Sequence, residues 1–304
     1  MNQKICLVTG CSAGGVGPAL VEAFKNKGYH VFATARSPKK VPQALHSDPN
    51  ITVLALDVTS TDSITAAAAA VSEKTGGKLD VLINNAGHGL SMPALDTSIE
   101  DAKQLFNANF FGVLEMVQAF SHMLIKSKGV IVNNSSVGAY QPFPFITIYQ
   151  ASKAALITAG EGWRLELAPL GVRVITLVTG GIATNFVANL NALDLPEKSY
   201  YKCVEDTIAE QPEHIPFSMA PERFALHVLQ RVERGGAGKY WAGGGTVMMR
   251  VALWVLPQAL LDVISMMPKP FAKKLREHRD TVEEQDHKLA VEGLKQALVE
   301  GHGQ

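Results

Sequence analysis

A tyrosine and a lysine stand four residues apart in the middle of the chain, at Tyr149 and Lys153. Residues at this spacing share one face of a helix, so the ammonium group can lie near the phenol. Two unit charges about 4 Å apart, at an effective dielectric of about 20, interact by about 4 kcal/mol, which corresponds to about 3 pKa units. The pair therefore predicts a tyrosine with a lowered pKa that works as a general acid. The alternative is an incidental tyrosine at a helix start.

Other polar side chains follow the ends of strand-like apolar runs. Ser136 comes shortly after the run 130–132, and the residues Asn-Asn-Ala-Gly at 84–87 follow the run 79–83. Side chains at the carboxyl ends of strands face the crevice where α/β sheets bind ligands. Asn109 lies inside a long helical pattern, where asparagine is a poor helix former and often has a local hydrogen-bonding role. Each of these residues, taken alone, also fits a turn or a buried hydrogen bond.

The first apolar run, Ile5–Val8, leads into a glycine-rich segment that precedes a helical pattern. Glycines at such a turn let the backbone approach a pyrophosphate, and the helix N-terminus supplies N–H groups and a positive dipole end. The segment therefore predicts a nucleotide-binding turn, with an ordinary glycine-rich turn as the alternative. Its candidate cofactor-binding residues are Gly10, Ser12, Gly15, Val16 and Gly17.

The end of the second apolar run, 30–34, indicates which dinucleotide binds. An NAD-specific protein places a carboxylate there to bind the ribose 2′-hydroxyl, but the residues that follow include Arg36 and no acidic side chain. An arginine can pair bidentately with a 2′-phosphate. We therefore predict NADP(H), the alternative being a solvated arginine in a loop that also contains Lys39 and Lys40.

These residues sit between alternating strand-like and helix-like segments, which predict a parallel α/β sheet with right-handed crossovers. The near-continuous apolar character of the strands is typical of a sheet covered on both faces. The predicted strands are 5–8, 30–34, 51–56, 79–83, 130–132 and 172–178. The predicted helices are 16–27, 62–74, 99–126 and 148–167. The alternation stops after Gly181, and we expect one domain over 1–245 with a helical C-terminal extension over 246–304.

Composition excludes several classes of protein. The 304 residues carry 28 Lys+Arg against 28 Asp+Glu, so no basic field favours nucleic acid. Three cysteines without CxxC spacing fit a reducing compartment. The nine histidines show no metal-ligand spacing, so we expect no metal site. No secretory signal is apparent, and the apolar stretch 251–267 is interrupted by Pro257 and Asp262, which disfavours a membrane span.

Together these motifs resemble the classical short-chain dehydrogenase/reductase family over roughly residues 4–245. The resemblance implies a Rossmann-type, doubly wound parallel sheet in three α/β/α layers. It also implies that Ser136 orients a substrate carbonyl, Tyr149 exchanges the proton, Lys153 binds the nicotinamide ribose and lowers the tyrosine pKa, and Asn109 holds a proton-relay water. The resemblance further implies that Asp57, next to the cofactor-binding candidate Val58, contacts the adenine, and that Asn85, Ala86 and Gly87 support the cofactor wall.

Two departures from the family pattern stand out. One extra residue precedes Gly15 in the turn, and Thr179 with Gly180 replaces the usual Pro-Gly after the sixth strand. Both departures are similar to the fungal and yeast 1-acyldihydroxyacetone-phosphate reductase subgroup. The residues that would line the nicotinamide side are Gly181, Ile182 and Thr184, whose hydroxyl could bind a carboxamide or a phosphate.

The favoured function is an NADPH-dependent reductase of a hydrophobic or lipid-like ketone, such as an acyl-dihydroxyacetone phosphate. Only Lys198 and Lys202 in the segment 184–220 could serve a substrate phosphate. A steroid, retinoid or fungal secondary-metabolite ketone is the alternative substrate, and a catalytically idle NADP(H)-binding scaffold is the alternative class. His88 either lines the substrate pocket or is an ordinary loop histidine.

The C-terminal extension leaves more alternatives open. The stretch 251–267 packs against the body or a second subunit, docks in a membrane interface, or caps a substrate tunnel. The segment 271–304 is predicted to be a solvated amphipathic helix, whose apolar stripe would be Val282, Leu289, Leu294 and Leu298. We expect a homodimer or homotetramer in the cytoplasm, peripheral at the endoplasmic reticulum or lipid droplets if the membrane alternative holds.

Overall fold

The computed structural model describes residues 3–190, 194–209, 217–266 and 271–281. Seven strands of these residues form one parallel sheet. They are β1 (Ile5–Val8), β2 (His30–Ala35), β3 (Ile51–Ala55), β4 (Val81–Asn84), β5 (Val130–Asn134), β6 (Arg173–Thr179) and β7 (Gly238–Ala242). Their order across the sheet is β3-β2-β1-β4-β5-β6-β7.

Helices cover both faces of this sheet. They are α1 (Gly17–Asn26), α2 (Gln43–His46), α3 (Thr61–Thr75), α4 (Ile99–Phe106), α5 (Gly112–Ser127), α6 (Thr147–Leu167), α7 (Glu205–Ala209), α8 (Pro221–Glu233), α9 (Thr246–Val255), α10 (Gln258–Met266) and α11 over 271–281. One apolar core joins the sheet to α1 and α8, and a second joins it to α3, α5 and α6. The predicted doubly wound, three-layer architecture is confirmed.

The strand order creates the crevice in which the polar residues meet. β1 pairs in parallel with β2 on one side and with β4 on the other, so the direction of winding reverses between β1 and β4. Ligands of open α/β sheets bind outside the carboxyl ends of the strands at such a reversal. The glycine turn follows β1, and the segment 84–87 follows β4, so both predicted cofactor segments border this point.

Two elements were absent from the sequence prediction. The alternation does not stop after Gly181, because α8 and β7 add a further helix and strand. β7 lies at the edge of the sheet and only one of its five residues is buried, so it lacks the apolar run that marks the central strands. The predicted helix 99–126 is α4 and α5 joined by a turn of π-helix at Asn107–Phe111.

The apolar stretch 251–267 forms parts of two helices rather than one. α9 ends at Val255, and Pro257 precedes α10. Only Thr246 of α9 and two residues of α10 are buried, so these helices leave most of their apolar side chains exposed. No helix in the described ranges is long and apolar enough to cross a membrane. Of the predicted helix 271–304, residues 271–281 are helical, and the proposed stripe at Val282, Leu289, Leu294 and Leu298 lies outside the described residues.

Candidate functional site

The glycine turn after β1 is shaped for close backbone contact. Gly10 has φ +74°, and a Cβ there would come within 2.8 Å of Ala86 Cα. A Cβ on Gly17, the first residue of α1, would lie 2.3 Å from the Gly10 carbonyl oxygen. The turn is therefore tightly wound, and it presents main chain at the N-terminus of α1. This arrangement fits a pyrophosphate, which N–H groups and the helix dipole stabilise.

Hydrogen bonds join this turn to the segment after β4. The buried Thr9 hydroxyl accepts hydrogen bonds from the main-chain N–H groups of Asn85 and Ala86, each at 2.9 Å. The Asn85 side chain donates in return to the carbonyls of Thr9 and Gly10, at 2.9 and 3.2 Å. The predicted wall residues Asn85 and Ala86 thus hold the first strand and the turn in register.

Asn109 lies in the π-helical turn and is completely buried. Its amide accepts from the His88 N–H and donates to the His88 carbonyl, both at 3.0 Å, and it also donates to Ser152 Oγ at 3.1 Å. A Cβ on Gly87 would meet Asn109 Oδ1 at 2.7 Å. The side chain therefore ties the loop after β4 to the helix that carries Tyr149, and both of its N–H donors are used in doing so.

The structure brings Ser136, Tyr149 and Lys153 together at the crevice. Ser136 follows β5 and lies near enough to the Tyr149 hydroxyl to lower the pKa of the phenol. Tyr149 and Lys153 both lie on α6, and Lys153 Nζ is 5.9 Å from the centre of the Tyr149 ring. Nζ donates to the Asn134 carbonyl at 2.9 Å. These are the groups a carbonyl reductase needs: a hydroxyl pair and a nearby ammonium.

The pKa of Tyr149 differs from the sequence prediction in direction. Burial raises the pKa of the Tyr149 phenol above its ordinary value, and the Ser136 hydrogen bond offsets part of the rise. Burial also lowers the pKa of the Lys153 ammonium to about 8. The sequence argument counted the attraction between the two groups but not the desolvation of each, which opposes the charged form.

The pocket for the cofactor's adenosine end is basic. Arg36 is exposed directly after β2, where no carboxylate stands. The N–H of Ala13 donates to the Lys40 carbonyl at 2.8 Å, which brings the basic loop against the glycine turn. An open groove of about 440 Å³ lies between them, lined by Ser12, Ala13, Lys39, Lys40, Val41, Pro42 and Gln43. These residues fit an NADP(H) molecule whose phosphates need cations and N–H groups.

The remaining predicted cofactor residues take structural positions around this crevice. Asp57 Oδ1 accepts from the N–H and the hydroxyl of Thr59, which closes the turn after β3. Gly181 pairs with Gly244, and Ile182 is buried beside Met219, so the segment after β6 is anchored on both sides. The other positions are Gly15 and Val16 in the turn, Val58 beside Asp57, and Thr184, whose hydroxyl accepts from the Phe186 N–H.

An apolar cover lies over Tyr149. The ring of Phe186 is 5.6 Å from the Tyr149 ring, and a Cβ on Gly89 would come within 2.5 Å of Leu190 Cδ2. The same segment is attached to the glycine turn, because the Asn185 N–H donates to the Gly14 carbonyl at 2.9 Å. Gly14 lies in the part of the glycine turn that has the extra residue. The lengthened turn therefore contacts the segment that carries Phe186 and Leu190.

Sequence reasoning did not assign several residues that build the site. Thr9, Asn134 and Ser152 hold the segments of the candidate site together, Phe186 covers Tyr149, and Leu190 lies beside Gly89. Thr9 and Asn134 lie between the predicted strands and the predicted site residues, so the sequence shows where they stand but not which groups they contact. The described residues contain no group of His, Cys, Asp or Glu that could hold a metal ion.

Comparison with known proteins decides the family. The profile of the short chain dehydrogenases matches residues 4–194. The chain belongs to the short-chain dehydrogenase family. A short-chain dehydrogenase of Penicillium ochrochloron, ptmH, is 40% identical over 276 residues, which cover 88% of this chain and 98% of that protein. The NADPH-dependent 1-acyldihydroxyacetone phosphate reductase of Schizosaccharomyces pombe is also 40% identical to this chain, over 227 residues. The match covers 73% of this chain and 76% of the S. pombe protein.

A solved structure carries the same fold with a cofactor. The short chain dehydrogenase of Burkholderia cenocepacia in complex with NADP superposes with a TM-score of 0.67 at 28% identity, over 85% of this chain and 96% of that one. The family prediction from the motifs is thereby confirmed, together with its oxidoreductase class.

Proposed function

We propose that this short-chain dehydrogenase reduces a hydrophobic ketone with NADPH. The observation that carries the proposal is the cluster of Ser136, Tyr149 and Lys153 beneath an apolar cover, at the edge of a crevice that fits a dinucleotide. The catalytic roles of these side chains follow from their positions.

NADP(H) is the cofactor of this chain. The S. pombe relative is named as NADPH-dependent, and the B. cenocepacia neighbour is a complex with NADP. The exposed Arg36 and the basic groove beside the glycine turn supply the matching charges here. Bound in the crevice, the cofactor supplies the hydride.

The protein's own groups handle the proton and the oxyanion. Tyr149 keeps its proton at neutral pH, because burial raises its pKa, and it can donate that proton to the carbonyl oxygen. The hydroxyl of Ser136, which lies near the Tyr149 hydroxyl, stabilises the negative charge that develops on the carbonyl oxygen. Lys153 stays charged below pH about 8 and stabilises the phenolate that Tyr149 becomes.

The substrate is hydrophobic, and it need not carry a phosphate. Phe186 and Leu190 present apolar surface over Tyr149 and Gly89. Lys202 is paired with Glu205 at 2.8 Å and also bonds the Leu195 carbonyl, so its charge is already neutralised. The pocket therefore favours a neutral lipid-like or polycyclic ketone, and the acyl-dihydroxyacetone phosphate that the sequence favoured becomes the alternative substrate.

Substitution of Tyr149 tests the mechanism. We expect Tyr149→Phe to lower the rate of NADPH-linked ketone reduction by at least about 100-fold, the usual contribution of a positioned general acid, while NADPH binding measured by fluorescence stays within a few-fold. Tyr140→Phe is the matched control, because the ring of Tyr140 packs on Trp241 rather than on Phe186.

The substrate panel for this test pairs each acyl-dihydroxyacetone phosphate with its dephosphorylated form and adds long-chain and steroid ketones. Faster turnover of the dephosphorylated forms supports the proposed pocket. Undiminished turnover by Tyr149→Phe sinks the mechanism, and wild-type protein that binds NADPH but reduces no ketone indicates the idle scaffold.

Substitution of Arg36 tests the cofactor preference. Because a charge-assisted, bidentate contact to the 2′-phosphate exists only with NADPH, we expect Arg36→Ala to raise the Kd for NADPH at least tenfold. The Kd for NADH should change by less than about twofold. Isothermal titration with both cofactors measures the difference, and an equal loss for both contradicts the role of Arg36.

The domain division, membrane contact, location and assembly of the enzyme are also matters of proposal. We propose that 1–245 is the catalytic unit and that the extension 246–304 carries a peripheral membrane contact through α9 and α10, whose apolar side chains are exposed. A cytoplasmic enzyme at the endoplasmic reticulum or lipid droplets fits such a contact. A homodimer or homotetramer is the expected assembly, and light scattering on the purified chain would test it.

A further inference from the structure

Asn134, the last residue of β5, makes three hydrogen bonds in three directions. Its side-chain nitrogen donates to Asn85 Oδ1 at 3.0 Å, and its side-chain oxygen accepts from the Thr179 hydroxyl at 2.6 Å. Its main-chain carbonyl accepts from Lys153 Nζ at 2.9 Å. One residue therefore contacts the cofactor wall, the end of β6 and the catalytic lysine.

The side-chain bonds continue beyond Asn134 to the glycine turn. Asn85 passes the connection on, because its amide nitrogen donates to the carbonyls of Thr9 and Gly10. The chain of contacts from Thr179 through Asn134 and Asn85 to Gly10 thus spans the carboxyl ends of β6, β5, β4 and β1. We call it the crevice network.

The partners of Asn134 leave its amide a single orientation. An amide oxygen accepts hydrogen bonds and an amide nitrogen donates them. Here the Asn134 oxygen accepts from the Thr179 hydroxyl, and the Asn134 nitrogen donates to the amide oxygen of Asn85. Within the described residues, the Asn134 carbonyl is also the one hydrogen-bond acceptor of Lys153 Nζ. The position of the ammonium therefore depends on a peptide whose side chain the Thr179 hydroxyl restrains.

Thr179 occupies the position where the sequence departs from the family's usual proline. A proline has neither a hydroxyl nor an N–H to offer, so it could not make this contact. We propose that Thr179 and Asn134 are positioning residues that set the location of the Lys153 ammonium relative to Tyr149. The proposal rests on the proposed function, in which these two groups handle the proton.

The test removes the Thr179 hydroxyl without changing side-chain volume. We expect Thr179→Val to lower kcat for ketone reduction about tenfold, with KM within about twofold, because only the acid–base groups are displaced. Thr179→Ser restores the hydroxyl and should recover most of the loss. Thr176→Val is the matched control, because Thr176 lies on the same strand, is fully buried, and has an unpartnered hydroxyl among the described residues.

A second measurement needs neither substrate nor cofactor. Nuclear magnetic resonance of the isotopically labelled lysine side-chain nitrogen, assigned with Lys153→Met, follows the titration of Lys153. A loosened acceptor stabilises the ammonium less, so Thr179→Val should move the titration midpoint down by about half a unit. Asn134→Leu should do the same, and the double variant should shift no further than the larger single shift.

The outcomes separate this proposal from the proposed function. A titration of Thr179→Val that overlays the wild type, or an equal shift in Thr176→Val, overturns the positioning role. A wild-type protein that reduces no ketone overturns the proposed function, while the Lys153 titration still reports on the crevice network. If Asn134→Leu fails to fold, Thr179→Val and Thr179→Ser together still decide the matter.

Discussion

At the scale of single residues, the site combines groups whose spacing is visible in the sequence with contacts that are not. The spacing of Tyr149 and Lys153 predicts that they share a helix face, and the resemblance to the family adds Ser136 to this pair. The lowered pKa that the sequence predicts for Tyr149 is wrong, because burial beneath Phe186 and other residues distant in sequence raises it. Desolvation is a property of the folded site, whereas spacing is local.

The buried Lys153 has a consequence for stability that can be measured. Its pKa falls from the ordinary value of 10.5 to about 8, and the side chain is only 6% exposed. Between these pH values the unfolded chain binds the proton that the folded chain has released, so wild-type stability rises with pH across this window. At pH 7 the charged lysine costs about 3 kcal/mol of folding free energy.

We therefore expect Lys153→Met to raise the free energy of unfolding by about 2 kcal/mol at pH 7, although it removes a catalytic group. The gain should shrink as the pH rises from about 8 towards 10.5, because Lys153 of the folded wild type is then neutral and the wild type becomes more stable. Urea unfolding at several pH values measures it, with the exposed Lys103→Met as control. A gain that does not vary with pH contradicts the buried-charge explanation.

At the scale of elements, the central sheet was predictable and its periphery was not. Runs such as His30–Ala35, buried at every residue, identify themselves by composition. β7 does not, since its Lys239, Tyr240 and Trp241 are only partly covered. The π-helical turn at Asn107–Phe111 was not predicted either; its residue Asn109 is hydrogen-bonded to His88, 21 positions away, and the sequence does not show that contact.

Contacts between strands also compensate for the threonine at position 179, where the family usually has proline. The sequence shows Thr179 in place of a proline but cannot show what replaces the stiffness of that residue. In the folded protein a hydroxyl contact to Asn134 links β6 to β5, and Asn85 extends the link to β4. Where a proline would stiffen the backbone after β6, this chain has side-chain hydrogen bonds between strands. In the proposed reaction they hold the nicotinamide side of the crevice.

At the scale of the whole molecule, charge and apolar surface are distributed unevenly. Only 18% of the residues are charged, and the exposed apolar side chains concentrate on α9 and α10. The exposed members are Val247, Met248, Val251, Trp254, Val255, Leu260, Val263, Ile264 and Met266. α10 also touches the site region, because Gln141 donates to the Leu261 carbonyl and Gln150 donates to the Gln141 carbonyl. A substrate dissolved in lipid would thus meet the apolar helices beside the pocket.

This surface leads to a prediction about membrane binding. Burying an apolar side chain the size of valine or larger is worth roughly 1.5–3 kcal/mol, so Trp254→Ser with Val255→Ser should reduce partitioning onto phosphatidylcholine vesicles by at least tenfold. Co-flotation of the full chain measures the partitioning. Leu165→Ser is the control, because Leu165 is an exposed apolar residue on α6.

Phosphatidylserine should strengthen binding, since the exposed Lys273, Lys274 and Arg276 follow these helices. If the wild type stays off the vesicles, and the double variant instead dissociates a dimer, then α9 and α10 are a subunit interface and the membrane contact is wrong.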